Sequence, residues 1–134
     1  MGSEAMRCEG PVEVRVRIPP AADAPLRARS EVPALSVPGP RSADVLLLVS
    51  EVVTNSVVHA GLAPGQDIDL RLTRDNGTVR VEVRDEGRGF ADALRKGSRT
   101  SGFGLDLVEQ LSDRWGVERG AQTCVWFEVD VAGW

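Results

Sequence analysis

Hydrophobic and polar residues alternate strictly over residues 12–18 (VEVRVRI), with Val12, Val14, Val16 and Ile18 on one side and Glu13, Arg15 and Arg17 on the other. That period of two predicts a half-buried strand, closed by Pro19 and Pro20. Residues 24–37 carry a weaker helical period broken by Pro33, which removes a donor and disfavours helical geometry at Val32, so a short or broken helix is expected. Ser42 is placed to cap a long helix that has Asp44 in its first turn and runs to about Ala60, with Gly61 as its closing residue. Asn76 and Gly77 form the favoured two-residue hairpin turn. Pairing outward from it sets Leu72 against Val81 and Leu70 against Val83 on one face, and Arg71 against Glu82 and Asp69 against Arg84 on the other. Residues 102–115, with Leu105, Val108, Leu111 and Trp115 at helical spacing, predict a helix entered through glycines. A last strand over residues 124–131 points Val125, Phe127 and Val129 inward and Trp126, Glu128 and Asp130 outward. Each strand keeps a polar face, which excludes a sheet covered on both sides and predicts an α+β fold, a two-layer α/β sandwich with helices on one face.

The long helix, residues 44–60, carries Glu51, Asn55 and His59 four residues apart. Four helical steps overshoot a turn by about 40°, so the three side chains share one stripe. Val45, Leu46, Leu48, Val49, Val52, Val53 and Val57 cover most of the remaining circumference, which predicts a helix buried on nearly all sides. Buried polar groups need partners, since an unpaired amide costs about 1–3 kcal/mol. A structural polar network or a water channel is the plain reading of such a stripe, and a bound ligand is the functional one.

Composition narrows the choice of ligand and partner. With 16 basic and 20 acidic residues in 134, the formal charge of −4 argues against a general nucleic-acid binder. The chain is long enough for one domain, read here as residues 12–131, behind a segment 1–11 that is either disordered or a cloning scar. Cys8 reads as a loose thiol and Cys124 as a small buried hydrophobe, so a disulfide is not expected. No apolar run approaches the roughly 18 residues of a membrane span and no signal peptide is evident, which gives a cytoplasmic reading with no membrane partner.

Two glycine clusters lie where a ligand could sit. Asp85, Gly87 and Gly89 follow a strand directly, and Gly102 and Gly104 open a helix. Glycine admits a close backbone approach, and a helix N-terminus offers unpaired N–H groups to an anion. Singly, each cluster is also an ordinary turn or helix entry, and neither is a Walker loop or a dinucleotide fingerprint. Between them, Arg88, Arg95, Lys96 and Arg99 mark either a solvated loop or a lid whose cations approach a triphosphate.

In order along the chain, SEVVTNSVVHA, VRDEGRGF, SGFGLDLVEQLSDRWGV and TCVWFEV resemble the boxes of the GHKL (Bergerat-fold) ATPases, and within them the RsbW-like serine-protein kinase anti-sigma factors. The resemblance covers about residues 12–131 and implies a mixed, mainly antiparallel sheet backed by helices on one face, with ATP and Mg²⁺ bound between the long helix and a lid. It implies that Asn55 is the magnesium ligand, that Glu51 is the general base, and that Asp85 accepts a hydrogen bond from the adenine amino group. Gly87 and Gly89 would pass the base, Gly102 and Gly104 would meet the phosphates, and Thr123 would match a hydroxyl near adenine, a place that the spacing also permits for Cys124. His59 stands where the family often has a histidine, with capping or packing as an equal role. Pro33, Pro38 and Pro40 depart from the longer first helix of the relatives, the region that pairs subunits and binds partners there. The function implied is an ATP-binding anti-sigma factor that phosphorylates a serine or threonine of an anti-sigma-antagonist (STAS-type) protein, with room for a homodimer. The alternative is a non-catalytic, ATP-dependent binding module that sequesters a sigma factor or other regulator. A histidine-kinase catalytic domain fits less well, because no separate helical segment carries a phosphoacceptor histidine.

Overall fold

The computed structural model describes residues 11–59, 61–87 and 105–131. The expectation for the N-terminal segment 1–11 therefore falls, apart from Pro11, outside the described residues. The order of elements is β1 (Val12–Ile18), α1 (Ala24–Arg29), a 3-10 turn (Val32–Leu35), α2 (Gly39–His59), β2 (Ile68–Asp75), β3 (Thr78–Asp85), α3 (Leu105–Leu111), β4 (Arg114–Arg119) and β5 (Thr123–Asp130). The strands pair in the order β1-β2-β3-β5-β4. Every described pair is antiparallel, so the mixed sheet implied by the resemblance is antiparallel throughout among these residues.

The hairpin register holds as the turn chemistry requires. Leu72 pairs with Val81, Leu70 with Val83, Arg71 with Glu82 and Asp69 with Arg84. Asn76 and Gly77 both have positive φ, 55° and 80°, the combination that follows the twist of a two-residue hairpin. On the inward face, Val81 sits between Leu72 and Phe127, and Val83 between Leu70 and Val125. Val45, Leu48, Val49, Val52 and Val53 of α2 are fully buried in the same core, which also takes Ala24 and Ala28 of α1, Leu35 of the 3-10 turn, and Leu105 and Val108 of α3. Each Val or Leu withdrawn from water in this way contributes roughly 1.5–3 kcal/mol.

Three expectations are corrected. Helix α2 starts at Gly39 rather than behind Ser42, because Pro40 in the first turn has no N–H to lose and Ser42 already donates its own to the Pro38 carbonyl, at 3.2 Å. The same helix is not enclosed on nearly all sides. Leu47 is 41% and Val58 62% exposed, because α1 spans only Ala24–Arg29 before Pro33 and the 3-10 turn take over. Finally, Trp115 lies in β4, not in a helix continuing to that residue, and α3 ends at Leu111. Asp113 makes the corner. Its Oδ2 accepts from the Asp130 N–H at 2.7 Å and from Arg41 at 2.9 Å, tying the start of β4 to β5 and to α2.

Among the described residues the outward face has no helix on it, and its charges pair with one another. Glu82, only 5% exposed, accepts from Arg80 at 2.7 Å and Arg84 at 2.5 Å, with Arg71 at 3.7 Å. Glu128 accepts from Arg80 at 2.9 Å and Arg114 at 2.6 Å. Trp126, which faces outward as expected, is half-buried rather than bare. Arg80 lies 4.4 Å above its ring, and its indole covers Gly116, where a Cβ would come within 2.9 Å of it. No helix among the described residues is long and apolar enough to cross a membrane.

Burial would raise the Glu82 carboxyl, but the hydrogen bonds and charges of Arg80 and Arg84 outweigh it and hold it below its ordinary value. The hydrogen bond from Arg114, then that from Arg80, does the same for Glu128 against a smaller effect of burial. Carboxyls held low in the folded state stabilise it above their unfolded pKa and lose that contribution as the pH drops through the folded value. Urea midpoints should therefore fall as pH is lowered below about 4.5. Glu82→Gln should cost about 1–3 kcal/mol at pH 7 and shrink the acid-side loss, and midpoints equal to wild type at both pH 7 and pH 3 would contradict the network. Gly116→Ala should cost about 1–3 kcal/mol in the same measurement, by pushing the Trp126 indole off the strand.

Candidate functional site

Alternation along β3 carries Val79, Val81 and Val83 into the core and leaves Asp85 as the next member of that inward row. In the same way Thr123 precedes Val125, Phe127 and Val129 on β5, and the register pairs Thr123 with Asp85. Two polar residues thus end apolar rows side by side, on the helix-facing side of the sheet. Asp85 is 4% exposed, so its carboxylate must find donors inside the protein. It has two. Ser56 Oγ donates to Oδ2 at 2.7 Å and the Gly87 N–H donates to Oδ1 at 2.9 Å. Thr123 Oγ1 in turn donates to the Gly87 carbonyl at 3.1 Å, fastening the chain as it leaves the sheet. Burial pushes the Asp85 carboxyl up, and the bonds from Ser56 and Gly87 act against that push.

Helix α2 supplies the other wall. Its sheet-facing side docks through Ser56, and the adjacent Asn55 is 6% exposed with its Nδ2 buried and without a partner. An orphaned buried amide nitrogen costs about 1–3 kcal/mol, and an acceptor brought by a ligand would relieve it. One turn earlier, Glu51 is partly exposed and has no hydrogen-bond or ion-pair partner among the described residues. It borders a surface groove of about 500 Å³ lined by Arg29, Ala43, Leu46, Leu47 and Ser50.

The structure therefore brings Asp85, Gly87 and Thr123 together at one end of the sheet, under the part of α2 that carries Asn55 and, further along, Glu51. Gly89, Gly102 and Gly104, with the cations Arg88, Arg95, Lys96 and Arg99, lie outside the described residues. His59 closes α2, and its side chain is likewise not described. Of the two residues open for the hydroxyl position, Thr123 faces Asp85, whereas Cys124 points to the other face, where it pairs across from Arg84 as a buried free thiol pushed up by its burial. Among the described residues no group of three or more His, Cys, Asp or Glu side chains could hold a metal ion unaided. Ser56 was not anticipated. A small polar residue on the sheet-facing side of an otherwise apolar helix was the available signal, but its partner is 29 residues away in the sequence.

Comparison with known proteins fits this geometry. The anti-sigma F factor of Heyndrickxia coagulans is 36% identical over 78 residues, covering 49% of this chain and 52% of that protein, so the chain spans about half the length of this curated relative. A crystal structure of RsbU and RsbW domains from Mycobacterium tuberculosis superposes with a TM-score of 0.71 over 90% of this chain and 32% of that one. At 20% identity, that likeness shows the fold. Residues 20–129 match the family described as the histidine kinase-like ATPase domain, most of the chain and all the site residues named above, and the chain belongs to that family.

Proposed function

We propose that the protein binds Mg-ATP at this site and acts as an anti-sigma factor with serine/threonine kinase activity toward a small anti-sigma-antagonist protein of the STAS type. The observation that carries the reading is a buried carboxylate, Asp85, bonded to Ser56 of α2, whose chain neighbour Asn55 is buried with an amide nitrogen that has no partner among the described residues. Asp85 accepts a hydrogen bond from the adenine amino group, with Thr123 holding the Gly87 backbone beside the base. The family resemblance further assigns Gly89 to the adenine side and Gly102 and Gly104 to the phosphates. Asn55 contributes one hard oxygen, the kind of donor that Mg²⁺ accepts alongside phosphate oxygens and water. Bound magnesium would supply charge neutralisation between the β- and γ-phosphates.

Glu51 opens to the groove beside Leu46 and Leu47, so a protein hydroxyl can reach it from outside. Its carboxylate takes the proton of that hydroxyl as the oxygen bonds to the γ-phosphorus. The bond to the bridging oxygen breaks and ADP leaves with the electron pair. The name of the Heyndrickxia relative supports the anti-sigma role. A cytoplasmic setting, a sigma factor as second partner and a homodimer belong to the same proposal. Exposed Leu26, Leu47 and Val58 also favour a second reading, a non-catalytic module that uses nucleotide to set the shape of a partner-binding surface.

Calorimetry should show Asn55→Ala weakening Mg-ATP and Asp85→Asn weakening ATP, each by about tenfold or more. Unchanged affinity in both would remove the site assignment. With labelled ATP and a STAS-type protein, Glu51→Gln should lower transfer to serine or threonine by about 10²–10⁴-fold while nucleotide binding persists. Binding without transfer by the wild-type protein would favour the second reading.

A further inference from the structure

The Ser56 hydroxyl and the Gly87 N–H occupy one oxygen each of the Asp85 carboxylate, at 2.7 and 2.9 Å, in a site where both side chains are 4% exposed. A backbone N–H can only donate, so Oδ1 must accept. A proton on Oδ2 would compete with the Ser56 hydroxyl for the same side of the carboxylate and force that hydroxyl to turn round. Among the described residues no charged side chain pairs with Asp85. Its neighbours from the packed elements are neutral: Ser56 on α2 and Thr123 on β5. The nearest acid along the chain, Glu86, accepts from Gln66 instead, at 3.4 Å.

We propose that Ser56 is a positioning residue that sets base selectivity: by donating to Asp85 it keeps the carboxylate an acceptor, so the site takes purines with a 6-amino group and refuses 6-oxo purines. The inference rests on the reading of Asp85 as the base-recognising group. A 6-amino group donates to a carboxylate, whereas a 6-oxo group opposes it with a second acceptor. Protonated Asp85 would reverse the preference, donating to the 6-oxo group and losing its match to adenine. Burial drives Asp85 toward that neutral form, and Ser56 with Gly87 opposes the drive. Of the two, only Ser56 can be removed by a side-chain substitution.

The test compares ATP with inosine triphosphate, which differs at the purine 6-position and adds no 2-amino group, by calorimetry between pH 5.5 and 8.5. Wild type should prefer ATP by about tenfold or more at pH 8. In Ser56→Ala the acid limb of ATP affinity should move to higher pH, and toward the acid end of that range the ATP-to-inosine preference should fall about tenfold against wild type. Ser56→Thr, which keeps the donor, should retain the wild-type limb. A merely structural serine would weaken both nucleotides equally at every pH, and that result would overturn the proposal. So would a Ser56→Ala protein that binds ATP and keeps the wild-type preference over inosine triphosphate throughout that range. Failure of wild type to bind either nucleotide would instead remove the underlying reading of the site.

Discussion

A buried carboxylate joins the two layers of this protein at its candidate site. Asp85 belongs to an inward row whose other members are valines, and it tolerates that position because α2 lends it the Ser56 hydroxyl and the turn after β3 lends it the Gly87 N–H. Sheet, helix and the departing chain are thereby held in one arrangement. Thr123 extends the arrangement to β5 through the Gly87 carbonyl. Asn55, next to Ser56, is then carried to a fixed place with its amide unsatisfied, which is the condition under which a ligand gains most from entering.

The two faces of the sheet solve opposite problems. Inward, rows of Leu, Val and Phe are covered by α1, α2, α3 and the 3-10 turn. Outward, no helix arrives among the described residues, and the arginines and carboxylates of neighbouring strands neutralise one another around Glu82 and Glu128. The outward network makes that face polar, with Arg80, Arg84 and Arg114 each engaged by a carboxylate. Trp126 belongs to the same network, held between Arg80 and Gly116.

Helix α2 is shared between the core and the surroundings. Its inner side anchors the fold, while the shortness of α1 leaves Leu47 open and a groove beside Glu51. The proline-rich stretch before α2, which ends α1 early, thereby sets how much of α2 stays exposed.

Strand faces, the hairpin register and the broken first helix were legible in the sequence because each follows from local chemistry: a period of two, an Asn-Gly turn, a proline without an N–H. Glu51 and Asn55 stood out as aligned polar residues on an apolar helix, and Asp85 as the opening of a glycine cluster after a strand, given its role by the family resemblance. Strand β4 did not, since Trp115 satisfies a helical spacing from Leu111 as well as the alternation with Val117, and only pairing with β5 chooses between them. Nor did the open side of α2, because burial depends on what packs against a helix and not on its own composition. Above all, the tertiary structure alone could decide that Ser56 meets Asp85. A hydrogen bond between residues 29 apart has no local signature, and it exists because the sheet and α2 bury their apolar faces against each other and bring both polar groups to the same level.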